Sequence, residues 1–488
     1  MKNFFGILLM TLVAQAGLAA GTEVADAVQN RDVAALRSLV KQHAPVNAAQ
    51  PDGTTALHWA AHWNDAEAVT LLLEAGANAK AANRYGTTPL SEAVAVSNAP
   101  IIEQLLKAGA DPNTRNTADG ETVLMTSARA GNLDAVNSLL NHGADVNAKE
   151  TYKGQTALMW AAAEHHPQVV KALLEHGADW KVQSSFRETK IPKLSTASSI
   201  SPISRGGLTA FLFAAREGDV EVAKVMLDAG VDINQTDVDG TSGLVVGIMN
   251  KQYTFAKLLL NRGANPNVTD VKGRAALYAA IDARNEDWSA LPMRKEMDRL
   301  PSMDLIQAIL AHGADVNAKL MHNLPGRSGM DYGDIALDEG TTPFMRAARS
   351  GDAATLRILL AAGADPKVTT KDGNNALLFA AGIGYRDKQT QGTDAQALEA
   401  VKLCMEQGLD LTQTNNKGET VLHGAASRGS DLLVKFLVEQ GAKLDVKSKA
   451  GFTPLDIAMG KDSFGALPVP HDSTVALLRS LGGEAGTR

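Results

Sequence analysis

Cysteine is nearly missing. Cys404 is the one copy in 488 residues, so no intramolecular disulfide can form. It stands four residues before Gly408, a place held elsewhere by Leu72, Leu105, Leu139 and Leu173, and is expected to pack in a core as a small hydrophobe. Aromatic residues are scarce too, at 5%, which suits close packing of helices through small side chains better than a β-sandwich. Positive charge is not in excess. Lys plus Arg total 47 against 54 Asp plus Glu, a net of −7, which offers no electrostatic reason to expect nucleic acid as a partner. Past the N-terminus there is no long apolar run to cross a bilayer.

Assembled chemistry is also lacking. Asp237-Val238-Asp239-Gly240 resembles part of a calcium loop, but Val246 stands where that loop needs its last carboxylate. Ser38 and Lys41 have no companion motif. Glu164-His165-His166 is not the zinc-protease arrangement, and His142, His176 and His312 lie whole repeats apart. Gly382-Ile383-Gly384 lacks the rest of a phosphate-cradling loop. The expectation is a chain without catalytic residues, bound metal or cofactor.

What is present begins with a processing signal. Lys2, the apolar run Phe4 to Val13 and the small residues Ala14 to Ala20 have the layout of a secretory signal peptide over residues 1–20, cut after Ala19 or Ala20. The expected destination is outside the cytoplasm, in a bacterial-type periplasm, with no membrane span after cleavage.

Beyond it a repeat takes over. Gly53, Gly86, Gly120, Gly154, Gly207, Gly240, Gly273, Gly340, Gly373, Gly418 and Gly451 open successive units; five of the ten gaps are 33 residues and two are 34. Each opening reads like Gly53-Thr54-Thr55-Ala56-Leu57-His58-Trp59-Ala60-Ala61 or Gly86-Thr87-Thr88-Pro89-Leu90. The threonine suits a helix N-cap and the proline a first turn. A second helix such as Ala66 to Ala75 ends at a glycine suited to a left-handed cap, here Gly76. Turns of the type Gly143-Ala144-Asp145-Val146-Asn147 follow.

These motifs resemble the ankyrin repeat, over about residues 24 to 482. The resemblance implies an all-α solenoid of stacked helix-turn-helix units with β-hairpin-like finger turns, and protein partners bound through finger tips and a concave face. Residues 24–52 read as an N-terminal capping unit, in which His43 replaces the terminal glycine, followed by repeats over 53–186 and 207–450, and by a last unit with a tail over 451–488. Opening glycine to capping glycine is normally 23 residues and from there to the next opening 10, which locates four insertions. Residues 187–206 lengthen one finger by twenty and carry Arg187, Lys190, Lys193 and Arg205; 321–339 lengthen another by seventeen. Insertions near 285–301, with Trp288 and Pro292, and 385–397 add seventeen and twelve between paired helices. The last of these is expected to be a polar loop.

On the expected concave face, the residues just after the alanine pair should point away from the core: Trp63, Arg129, Arg216, Glu217, Arg349 and Arg428. Together with Arg84 and Tyr85 at a finger tip they are the candidate partner-binding residues, the arginines forming a ladder for an acidic partner. Trp59, Trp160, Phe213 and Phe379, directly before the alanine pair, are expected to pack between units. The reading is a non-catalytic scaffold for an exported protein. An enzyme or small-ligand site built from the insertions, and an envelope-associated spacer, remain open alternatives.

Overall fold

The computed structural model describes residues 21–115, 119–189, 203–285, 298–322, 324, 337, 339–385, 390–461 and 470–486. The signal segment, Lys190, Lys193, Trp288 and Pro292 lie outside them, as does most of 321–339. Among the described residues the chain forms twenty-four helices, in consecutive pairs from Glu23–Gln29 with Val33–Lys41 to Pro454–Ala458 with Asp472–Ser480. They fall into two compact units, Met1–Val182 and Gln183–Arg488.

The repeated local chemistry explains each pair. In the first helix Ala56–His62, Leu57, Ala60 and Ala61 are fully buried, and small alanines let neighbouring helices come close. Pro89, Pro343 and Pro454 each occupy a first turn, where their missing N–H costs no hydrogen bond. Half of the second helices start on Asp or Asn: Asp65 accepts from Ala68 N at 2.9 Å and Asn132 from Ala135 N at 3.1 Å. They end on left-handed residues 23 after the opening glycine, such as Gly76 (φ 84°); in the capping unit His43 takes the same conformation (φ 55°).

A second left-handed stop ends the first helix, eleven residues after the opening glycine. It is glycine at Gly131, Gly218, Gly351 and Gly429, but Asn64, Ser97, His165 and Lys251 adopt it too (φ 57° to 63° for these non-glycine residues). At Gly131 the absent side chain has a further use. A Cβ there would meet the His166 ring at 2.5 Å, and His166 Nε2 instead reaches the Arg129 carbonyl at 3.0 Å. His142, His176 and His312 act at the other helix ends, each Nδ1 bonding to the carbonyl four residues earlier at 2.7 to 2.8 Å.

Neighbouring repeats are stitched by an asparagine ladder. The last residue of one turn donates to the capping-glycine carbonyl of the next unit and accepts the N–H two residues beyond it. Asn147 bonds Gly177 O at 3.3 Å and Asp179 N at 2.8 Å; Asn317 bonds Gly363 O at 3.2 Å and Asp365 N at 2.8 Å. At the finger tips single backbone bonds continue the series, such as Arg84 N to Asp52 O at 2.7 Å and Met321 N to Lys272 O at 2.8 Å.

The insertions depart from plain loops. Phe186–Thr189 pairs antiparallel with Ile203–Gly206, so the lengthened finger is a true hairpin at its base. The stretch 385–397 is not all polar loop. Its end is the first turn of a thirteen-residue helix, Asp394–Glu406. Thr393 Oγ1 accepts from Gln396 N and Gln396 Oε1 from Thr393 N, a capping box hidden in what reads as polar sequence. Cys404 in this helix is fully buried, and burial pushes its thiol up to about 12.

Candidate partner-binding face

The C-terminal ends of the first helices carry the candidate residues, in two registers. Arg129, Arg216 and Arg349 stand nine residues after their opening glycines, whereas Trp63, Glu217 and Arg428 stand ten after theirs. In the unit 1–182 the side chains remain accessible. Arg129 is exposed, its guanidinium 5.1 Å from the Trp160 ring centroid and 3.2 Å from Glu121. Trp63 is half-buried, stacked on Trp59 at 6.0 Å with 19° between the planes. Its indole N–H is buried with no acceptor, and the same holds for Trp160. Arg84 and Tyr85 are exposed at their finger tip, where Arg84 also donates to Pro51 O at 2.7 Å and Tyr85 is 64% exposed.

In the unit 183–488 the arginines diverge. Arg216 is half-buried beside Glu217 at 2.7 Å and over the Phe213 ring at 4.8 Å. Arg349 and Arg428 do not point to solvent. Each is buried, with Gly384, Tyr385, Thr390, Gly392 and Asp394, at the two ends of the inserted stretch, lying against them. Arg349 donates to Gly384 O at 3.1 Å and Thr390 Oγ1 at 3.3 Å. Arg428 donates to Gly392 O at 2.7 Å and Asp394 Oδ1 at 2.9 Å, and covers the Tyr385 ring at 4.4 Å. The expected ladder is therefore broken: these two arginines clamp an insertion.

Arg346, which sequence reading passed over, is as enclosed as Arg349, at 2% exposure. It bonds Asp282 Oδ1 at 2.6 Å, Ser350 Oγ at 2.7 Å and the Asn285 carbonyl. Beside it Asp352 accepts from Arg284 at 2.8 Å, Asn285 at 3.1 Å and Thr355 Oγ1 at 2.6 Å. This network sits where the insertion near 285–301 leaves the helix Ala276–Arg284. No sequence motif marks it, since its members lie more than sixty residues apart in the chain.

The aromatic expectations divide in the same way. Phe213 and Phe379 are buried at 5% and 1%. Trp59 and Trp160 are only half-buried, because each indole outgrows the gap between alanine-rich helices; Trp59 Nε1 turns to Gln50 Oε1 at 2.8 Å. The other polar groups serve structure. Buried His58 bonds Thr55 Oγ1 at 2.8 Å through Nδ1 and the Thr87 carbonyl of the next repeat at 2.9 Å through Nε2. Burial holds its pKa below the usual value, so the ring is the neutral tautomer with its proton on Nε2. Asp237 ties its own turn, accepting from Asp239 N and Thr241 N, and burial raises its pKa. Among the described residues no group of three or more His, Cys, Asp or Glu is placed to hold a metal ion, and no helix is long and apolar enough to cross a membrane.

Stacked helix pairs with an accessible, aromatic- and arginine-bearing face define a repeat protein of the binding class. The chain belongs to the ankyrin-repeat family: the profile described as ankyrin repeats (3 copies) matches residues 24–116, 94–184, 195–270, 211–291 and 393–469, and a single ankyrin repeat matches 339–371. It is 25% identical over 254 residues to a putative ankyrin repeat protein, YahD, of Escherichia coli, covering 51% of this chain and 87% of the relative. It is 33% identical over 118 residues to the mouse ankyrin repeat and SOCS box protein 16, covering 24% of this chain and 25% of that protein. A 30% match over 124 residues to a transient receptor potential cation channel subfamily A member 1 homolog of Caenorhabditis elegans covers 25% of this chain and 9% of the channel. The chain thus spans a quarter or less of the length of these last two relatives. The human ASB11 ankyrin repeat domain superposes with a TM-score of 0.39 at 22% identity, over 50% of this chain and 98% of that domain. Ankyrin repeats make this chain a protein-interaction scaffold, and the matching families indicate no catalytic class.

Proposed function

We propose that this chain is exported to the periplasm and there holds an exported protein against its first-helix faces and finger loops. The observation that carries the reading is the accessible face of residues 21–182, where Trp59, Trp63, Arg129 and Trp160 lie on or just after three of the first helices, with Tyr85 at a finger tip. Large aromatics and arginine are the residue types enriched at interface centres. The export half rests on Lys2, the apolar run Phe4 to Val13 and the small residues after it.

Two experiments test this. Cell fractionation with N-terminal sequencing should find the chain in the periplasm, beginning at Ala20 or Gly21; a cytoplasmic chain still carrying Met1 overturns the export half. Crosslinking capture from periplasmic extract should enrich one dominant protein. A variant lacking 187–206 and 321–339 should capture it poorly if the fingers contribute to the grip. No enrichment by either chain overturns the scaffold reading in favour of a small ligand or an envelope role.

A further inference from the structure

Arginine lies over an aromatic ring at four places among the described residues. Three of the stacks are completed by a carboxylate. Arg129 over Trp160 has Glu121 at 3.2 Å, Arg216 over Phe213 has Glu217 at 2.7 Å, and Arg428 over Tyr385 has Asp394 at 2.9 Å. The fourth is Arg31, whose guanidinium lies 4.3 Å from the Trp63 ring centroid. It is exposed, and its side chain has no hydrogen-bond or ion-pair partner among the described residues. Residues 1–20 and 116–118, the rest of this unit, contain no Asp or Glu that could supply a carboxylate.

The platform beneath Arg31 is held from several sides. Trp63 stacks on Trp59, and Trp59 is anchored by Gln50. The His62 ring meets the edge of Trp63 at 4.8 Å and 71°, and His62 is itself held by Glu92 at 2.9 Å. Glu92 is thereby engaged on the far side of the cluster and does not complete the arginine. With its centre 4.3 Å from the ring centroid and its side chain exposed, the guanidinium keeps N–H groups with which it can donate to a carboxylate, and Arg recognises that group through two parallel bonds.

We infer that the Arg31–Trp63–Trp59 stack is an anchor for a carboxylate of a protein partner, an Asp or Glu side chain whose apolar neighbour covers the exposed part of the Trp63 ring. The inference rests on the scaffold reading above and names the chemistry of its occupant. The three completed stacks are the template: the group each of them has and this one lacks is a single carboxylate. A phosphate fits less well, since among the described residues the neighbouring His62 is paired with Glu92, and Arg37 with Glu67, leaving neither for its second charge.

The test uses the whole mature chain, labelled with 15N, and a short peptide in which a glutamate lies between two leucines in a glycine–serine background. Titration should move the Trp63 indole N–H resonance and the Arg31 Nε–H resonance. The glutamine twin of the peptide should bind about ten- to a hundredfold more weakly, the span set by losing a charged hydrogen-bonded pair. Arg31→Gln should bring the glutamate peptide to the level of its twin, and Arg31→Lys should fall between, keeping charge but losing the fork. Unchanged circular dichroism and an unshifted Trp160 indole resonance in these variants would show that the fold is intact. Equal binding of the two peptides, binding indifferent to Arg31→Gln, no binding at all, or a phosphoserine peptide bound in preference to the glutamate one would each overturn the inference. Periplasmic capture of a partner that persists in Arg31→Gln would do so while leaving the scaffold reading standing.

Discussion

The same side chain at nearly the same place in the repeat meets opposite fates in two regions of this molecule. In residues 21–182 the fingers and interhelical turns are short, and Arg129 lies on the surface over Trp160. Around residues 273–430, where insertions are added between paired helices, Arg346, Arg349 and Arg428 are buried; Arg346 donates to the end of the neighbouring first helix, and Arg349 and Arg428 donate to residues of the inserted stretch. A long, always charged side chain at a helix end can reach either solvent or whatever is laid over it. Insertions thus recruit face residues as clamps, and the region most decorated by loops has given up much of its arginine surface.

The sharpest way to break this comparison is to truncate one arginine from each region. Arg346→Ala should cost about 1.5–3 kcal/mol, because it removes charged hydrogen bonds to half-buried Asp282 and takes the arginine donor from the Asn285 carbonyl. Arg129→Ala should cost less, about 1 kcal/mol, since the guanidinium is exposed and buried Glu121 keeps its bond from Thr126 Oγ1 at 3.0 Å. Urea unfolding followed by tryptophan fluorescence and circular dichroism reads both, and equal costs would abolish the distinction. A smaller effect is expected from the ladder shared by both regions. Asn147→Ala and Asn317→Ala should each lose about 0.5–1.5 kcal/mol, the worth of ordinary hydrogen bonds. Similar losses would show that inserted chain between Asn317 and the repeats around it leaves the ladder's strength unaltered.

The smallest effect is a dependence on pH. His58 is held neutral by burial, its folded pKa lying below 6.5. The unfolded chain takes up a proton first as pH falls, so the stability that His58 contributes is present above about 6.5 and is lost as pH falls toward the folded value. Thermal melts of the fragment-free whole chain between about pH 7.5 and 5 should show a decline that His58→Gln reduces; an identical slope in the variant would assign the decline to other groups.

Much of the fold was legible in the sequence for a simple reason. Leu57, Ala60 and Ala61 recur with their neighbours at helical spacing in unit after unit, and a core built of repeats declares itself by repetition. The second-helix stop was legible because glycine nearly always fills it. The first-helix stop was not, because Asn64, Ser97, His165 and Lys251 take a left-handed conformation that only Gly131, Gly218, Gly351 and Gly429 advertise. Arg31 was missed on the same account. It occupies such a stop in a capping unit that lacks the opening motif, so nothing aligned it with a neighbour's Trp63.

The sequence by itself determined the helical periodicity, the threonine caps of the first helices, the glycine stops of the second, the burial of Cys404 and the positions of the insertions, because these depend on residues a few places apart. Only the tertiary structure decided which arginines reach solvent, which asparagine carbonyls and amides join adjacent repeats, and which stack lacks its acid. Each of those depends on a partner some thirty to seventy residues away: Asn147 with Gly177, Arg31 with Trp63, Arg284 with Asp352. A side chain's exposure and charge pairing are set by what the fold lays beside it, and spacing along the chain carries no record of that.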